Sequence, residues 1–131
     1  MADVRIPYNP PTMADYRAAV ARRLRYLEDK NKDPAFRAIT DAARAEAAAA
    51  ARVLKEEFAA TRVRLFGSLA RGDADDGFDI DLAVEGVEPK RFFSAWAAAG
   101  LKLTRRFDLI DLADAPPLLR QRVEEDGVDL P

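Results

Sequence analysis

Leu65-Phe66-Gly67-Ser68-Leu69-Ala70-Arg71-Gly72, followed six residues later by Asp79-Ile80-Asp81-Leu82-Ala83-Val84, carries the strongest signal in this chain. Val63 and Leu65 alternate with Arg62 and Arg64, so 62–66 reads as a strand that enters a tight turn at Gly67-Ser68. Leu69, Ala70 and Arg71 then read as a short helix. Ile80, Leu82 and Val84 alternate with Asp79, Asp81 and Ala83, which gives a second strand with one apolar face and one face bearing carboxylates.

Upstream, residues 1–11 include Pro7, Pro10 and Pro11 and have no periodicity, so they read as an extended lead-in. Thr12 and Asp15 have capping-box spacing, and Tyr16, Val20, Leu24 and Leu27 recur at helical intervals, predicting a first helix that ends near Glu28. Asp33-Pro34 supplies an N-cap and a preset first turn for a second, alanine-rich helix reaching Phe58 or Ala59. Its stripe of Phe36, Ile39, Ala43, Ala47, Ala50, Leu54 and Phe58 is expected to pack on the first helix at one end and on a sheet at the other. The spacing of Tyr16 and Tyr26 favours packing over modification or base stacking.

Downstream, Glu88-Pro89 starts a helix that is expected to point Phe92, Phe93 and Trp96 inward and to end near Gly100. Residues 107–112 read as a third strand, and Pro116 opens a last helix closed by Asp126-Gly127. The fold class is therefore α/β (α+β): a small mixed sheet with helices on one face over residues 60–131, preceded by an N-terminal helical hairpin within 1–59.

Composition narrows the chemistry. The chain has 131 residues, 49% apolar and 34% charged, enough to bury one real core. It contains no run of about 18 apolar residues and no basic-then-apolar leader, so the expectation is a cytoplasmic protein without a membrane span. With no cysteine and no histidine, disulfides, thiolate metal sites and imidazole chemistry are excluded. Carboxylates, hydroxyls and cations remain. A net charge of -2 argues against nonspecific binding to a long nucleic acid. Arg17, Arg22, Arg23 and Arg25 read first as a solvated helix face, with a partner or RNA contact as the alternative.

Asp79 and Asp81 leave one face of a strand with their carbons roughly 7 Å apart. Parallel carboxylates repel unless a cation sits between them, and an oxygen-only donor set points to magnesium or manganese, with magnesium the default. In the following strand, Asp108 or Asp111 can complete the set but not both, since an odd spacing puts them on opposite faces. Asp108, nearer the strand's start, is the choice. The Gly67-Ser68 turn suits a triphosphate: glycine allows close backbone approach, while helix-start N–H groups and the Ser68 hydroxyl donate hydrogen bonds. Arg71 adds a positive charge nearby, or else pairs with Asp73 or Asp75 at the surface. Taken singly, a Gly-Ser turn is an ordinary turn and an Asp-x-Asp strand a solvated face. Their conjunction at this spacing is the stronger signal.

Gly67-Ser68, ten residues, then Asp79-Ile80-Asp81 resembles the signature of the DNA polymerase beta superfamily of nucleotidyltransferases. The strings quoted above, with Phe107-Asp108-Leu109-Ile110-Asp111-Leu112 and Ala115-Pro116-Pro117-Leu118-Leu119-Arg120, are similar to its minimal nucleotidyltransferase (MNT) domains over residues 60–131. The resemblance implies metal binding by Asp79 and Asp81 and a third carboxylate, Asp108, that assists the metal or acts as base. It implies triphosphate binding by Gly67 and Ser68, with two Mg2+ ions and ATP as substrate. Many MNT proteins are antitoxins that silence a separate HEPN toxin, an RNase, by transferring AMP to a tyrosine, so a HEPN-type partner is implied as well. Phe78 departs from the pattern, which commonly has a small polar residue before the first aspartate. That departure supports an alternative, a catalytically vestigial module that neutralises a toxin by contact. A small-molecule nucleotidyltransferase ranks behind both, because so short a chain has no obvious second domain to enclose such an acceptor.

Overall fold

The computed structural model describes residues 7–131, so Met1–Ile6 of the expected lead-in lie outside the described residues. Residues 7–12 are irregular, and the chain then runs α1 (Met13–Lys32), α2 (Pro34–Phe58), β1 (Arg62–Phe66), α3 (Gly67–Arg71), β2 (Ile80–Glu85), α4 (Phe92–Gly100), β3 (Phe107–Asp111), α5 (Pro117–Asp126) and β4 (Val128–Asp129). One 3-10 turn, Pro89–Arg91, leads into α4 and another, Leu112–Asp114, follows β3. No described helix is long and apolar enough to cross a membrane.

The four strands form one mixed sheet in the order β3-β2-β1-β4. β1 pairs antiparallel with β2 and with β4, while β2 and β3 run parallel, joined by the crossover through α4. Strand alternation sorts the side chains as the period of two requires. Val63, Leu65, Ile80, Leu82, Val84 and Leu109 face α2 and α4 in the main core. Phe66, Ala83 and Ile110 face the other way and form a smaller cluster with Leu112 and with Leu119 and Val123 of α5.

α2 anchors the main core. Asp33 caps it by accepting from the Phe36 N–H at 3.1 Å, Pro34 opens its first turn, and Ala59 ends it in the left-handed region at φ 57°. Its alanines let α4 approach closely, so Ala95 and Ala99 are buried on the α4 side. This packing corrects the expectation for the aromatic residues: Phe92 packs against the core, but Phe93 and Trp96 are exposed. The inner line of so short a helix runs through 92, 95 and 99, and residues 93 and 96 fall outside it.

α1 also departs from expectation. It continues past Glu28 to Lys32, and it buries no residue: Tyr16, Val20, Leu24 and Tyr26 are exposed, as is Ile39 of α2. Thr12 and Asp15 do form the expected capping box. α1 is instead tied to the body through polar groups near its C-terminal end. Asn31 Nδ2 donates to the Ala74 carbonyl at 2.9 Å, Lys30 pairs with Asp76 at 2.8 Å and with Asp75 at 3.3 Å, and Arg23 pairs with Asp75. Extended Asp33 breaks the helical run, and helical periodicity alone does not specify which segments meet across such a break. The two-residue β4 was not read from the sequence, being too short to show alternation.

Candidate functional site

Sheet register assembles the site. Phe66 lies opposite Asp81, and Asp81 lies opposite Asp108, so the two aspartates stand side by side on neighbouring strands, about 5 Å apart by strand spacing, on the face away from α2. Asp79, just before β2, has the same parity as Asp81. Asp111 lies on the other side of β3 and accepts a hydrogen bond from the Ala113 N–H at 3.0 Å, which caps the following 3-10 turn.

Gly67 closes the site from above. Its φ of 77° is left-handed, and a methyl group there would collide with the Asp81 carboxylate. Only glycine permits both that conformation and that approach. With Ser68 it starts α3 against a cleft of about 600 Å³ that is lined by Asp79, Asp81, Asp108 and Arg71 among others. All six residues singled out in the sequence border this one cleft.

The electrostatics of the cleft are strained. Asp81 is half-buried and its carboxyl is pushed up to about 6, first by burial and then by the negative charges of Asp108 and Asp79, against a smaller opposing effect of Arg71. Asp79 Oδ1 lies 3.4 Å from Arg106 Nε, yet it is buried and accepts no hydrogen bond, because the pair is close without being aligned. Arg71 is held by Asp73 at 3.1 Å and by Asp126 of α5 at 3.0 Å, so it carries out the surface pairing expected of it while still lining the cleft.

Phe78 has a packing role. Its ring meets Phe36 edge to face at 6.3 Å, the Arg105 guanidinium lies 3.8 Å over it, and it is buried in the main core. The bulky residue therefore fastens the loop before Asp79 to the start of α2. Leu119, Arg122 and Asp126 of α5 also line the cleft. Sequence reasoning missed them; their i, i+3, i+7 spacing marks one helix face but not what it faces.

An all-oxygen donor set, two carboxylates side by side and an orphaned buried carboxylate oxygen fit a hard divalent cation. Among the described residues, no three acidic groups already converge on a single ion position.

The family model of the polymerase beta nucleotidyltransferases matches residues 49–130. The chain belongs to this family. Among solved structures, this nucleotidyltransferase is similar to a minimal nucleotidyltransferase at 29% identity and a TM-score of 0.57, over 68% of this chain and 93% of that one. It is also similar to a toxin-antitoxin with AMP-PNP at 26% identity and a TM-score of 0.51, over 63% of this chain and 71% of the other. The toxin-antitoxin MntA-HepT, at 22% identity and a TM-score of 0.52 over 66% and 70% of the two chains, shares the fold. No curated protein matches the chain. The match to the family begins inside α2, so α1 of this nucleotidyltransferase lies outside it.

Proposed function

We propose that this chain is a Mg2+-dependent nucleotidyltransferase of the cytoplasm that moves AMP from ATP to a hydroxyl of a partner protein, a tyrosine of a HEPN-type toxin, and thereby acts as an antitoxin. The observation that carries the reading is the registered pair Asp81 and Asp108, on the face where a side chain at position 67 would collide with the Asp81 carboxylate. Toxin-antitoxin structures among its structural neighbours, one holding AMP-PNP, support the partner and the nucleotide.

Asp79 and Asp81 would hold the metal, with Asp108 as third ligand or as base. Gly67, Ser68 and Arg71 of α3 receive the triphosphate beside Asp81. A divalent cation held there would supply positive charge against the phosphates and against the neighbouring carboxylates that push Asp81 up. The acceptor oxygen forms a bond to the α-phosphorus as the bond to the bridging oxygen breaks; pyrophosphate leaves with that electron pair, and the hydroxyl proton passes to Asp108 or to solvent. Residues 60–131 carry the catalytic side chains, α2 completes their core, and α1, which buries no residue, serves attachment.

The test is transfer of label from ATP to a co-purified partner. Asp79→Asn with Asp81→Asn is expected to lower transfer by about a thousandfold, several kcal/mol of transition-state stabilisation, and EDTA to do the same to the parent chain. A double variant that labels its partner at the parental rate would remove these residues from the site.

A further inference from the structure

One face of α1 is apolar and open to solvent. Met13, Tyr16, Val20 and Leu24 are 49–67% exposed, and Leu27 is half-buried. At about 100° per residue these five side chains fall within a stripe about 80° wide. So narrow a stripe is the seam of one helix against another, whereas a helix laid on a sheet or in a lipid surface presents a broader apolar face. The arginines of α1 leave the seam clear. Helical geometry turns Arg22 and Arg25 to the far side, and Arg23 and Lys30, on one flank, are already paired with Asp75 and Asp76. Arg17 and Glu28 share the other flank.

The stripe is also a palindrome. Steps of three, four, four and three residues lead from Met13 through Tyr16, Val20 and Leu24 to Leu27. A second α1 related by a two-fold axis at Val20 therefore sets Tyr16 against Leu24 of the other copy and Met13 against Leu27, with Val20 facing its own counterpart. Arg17 then runs along the seam toward Glu28 of the other copy, so the flanks are complementary in charge. The available length agrees. Asn31 lies on the same face as the stripe and donates to the Ala74 carbonyl at 2.9 Å, so the body occupies that face from Asn31 onward. A second α1, beginning at Met13 and level with Leu27, stops about 6 Å short of Asn31.

We propose that α1 is a self-association element, through which two copies of the chain pair antiparallel about a two-fold axis at Val20. A lipid surface or an unrelated protein gives no reason for a symmetric stripe. The proposal stands apart from the transfer reading, because α1 lies outside the family match and does not line the carboxylate cleft. A seam of about 21 Å is short against a standard protein interface, so the pair dissociates in the micromolar range, at about 10 μM.

Sedimentation equilibrium of the full chain, from about 1 to about 300 μM, tests the pairing. The mass is expected to rise from one chain to two and to stop there, since a two-fold contact closes on itself. Leu24→Glu is expected to weaken the pair at least about a hundredfold, because the symmetry introduces the buried charge twice, and to leave urea unfolding of the dilute chain unchanged, because α1 buries no residue. Arg25→Glu, on the far side, is expected to leave the pair intact. The chain has no cysteine, so introduced ones report the register. In an equal mixture treated with diamide, Tyr16→Cys is expected to crosslink to Leu24→Cys and neither variant to itself. A chain that stays single at every concentration, a mass that climbs past two copies, a pair that survives Leu24→Glu or is lost in Arg25→Glu, or crosslinks of like with like overturns the proposal. So does a chain that is single alone but binds phosphatidylserine vesicles or its co-purified partner through Leu24, which gives the seam another occupant.

Discussion

Asp81 stands half-buried beside two like charges, Asp108 and Asp79. Its carboxyl sits at about 6 instead of the ordinary 3.8 because burial and two like charges disfavour ionisation. Between those values the folded chain binds the proton that the unfolded chain has released, so Asp81 removes stability as pH rises through the window, and the loss persists above it. Without divalent metal, Asp81→Asn is therefore expected to raise Tm by about 2–4 °C at pH 7.5, with the gap closing near pH 4, as calorimetry in EDTA would record. The residues of this cleft were unevenly legible. The period of two put Asp79 and Asp81 on one face and separated Asp108 from Asp111, and sheet register then brought Asp108 beside Asp81. Arg122 and Asp126 reach the cleft only through the docking of α5 onto the sheet, which no local spacing encodes.

At the scale of elements, α1 bears on the site through the loop it holds. Asn31 donates to the Leu27 carbonyl at 2.7 Å and to the Ala74 carbonyl at 2.9 Å, tying α1 to the segment that leads to Asp79. Asn31→Ala is expected to cost about 1 kcal/mol and to speed amide hydrogen exchange selectively over residues 73–79. Uniform exchange in that variant would mean that the tie does not support the loop. The helices themselves were legible from caps and periodicity; their orientations were less so. Tyr16, Val20 and Leu24 have the spacing of a buried stripe but face solvent, and Trp96 is displaced by the alanine contact between α2 and α4. In a short helix a change of one position in the inner line exchanges a core residue for a surface one.

As a whole, the molecule is organised around α2, whose Ala43, Ala47, Ala50, Leu54 and Phe58 share one core with the sheet and α4. Leu54 is fully buried there, and Leu54→Ala is expected to cost about 2–5 kcal/mol in urea unfolding. A chain beginning at residue 33 is expected to lose less than that, because α1 buries no residue. The reverse order would mean that α1 is part of the folding unit. α5 closes the opposite face through Val123, so the carboxylate-lined cleft lies between the sheet and a helix held by a small cluster of its own.

On the proposed function, the α-phosphorus of ATP is the centre attacked beside Asp79, Asp81 and Asp108. Parallel incubations of the chain, its partner and Mg2+ with ATP labelled at the α- or the γ-phosphate distinguish this from phosphoryl transfer. Label is expected on the partner from α-labelled ATP alone, with the γ-label released as pyrophosphate. Label on the partner from γ-labelled ATP would overturn nucleotidyl transfer.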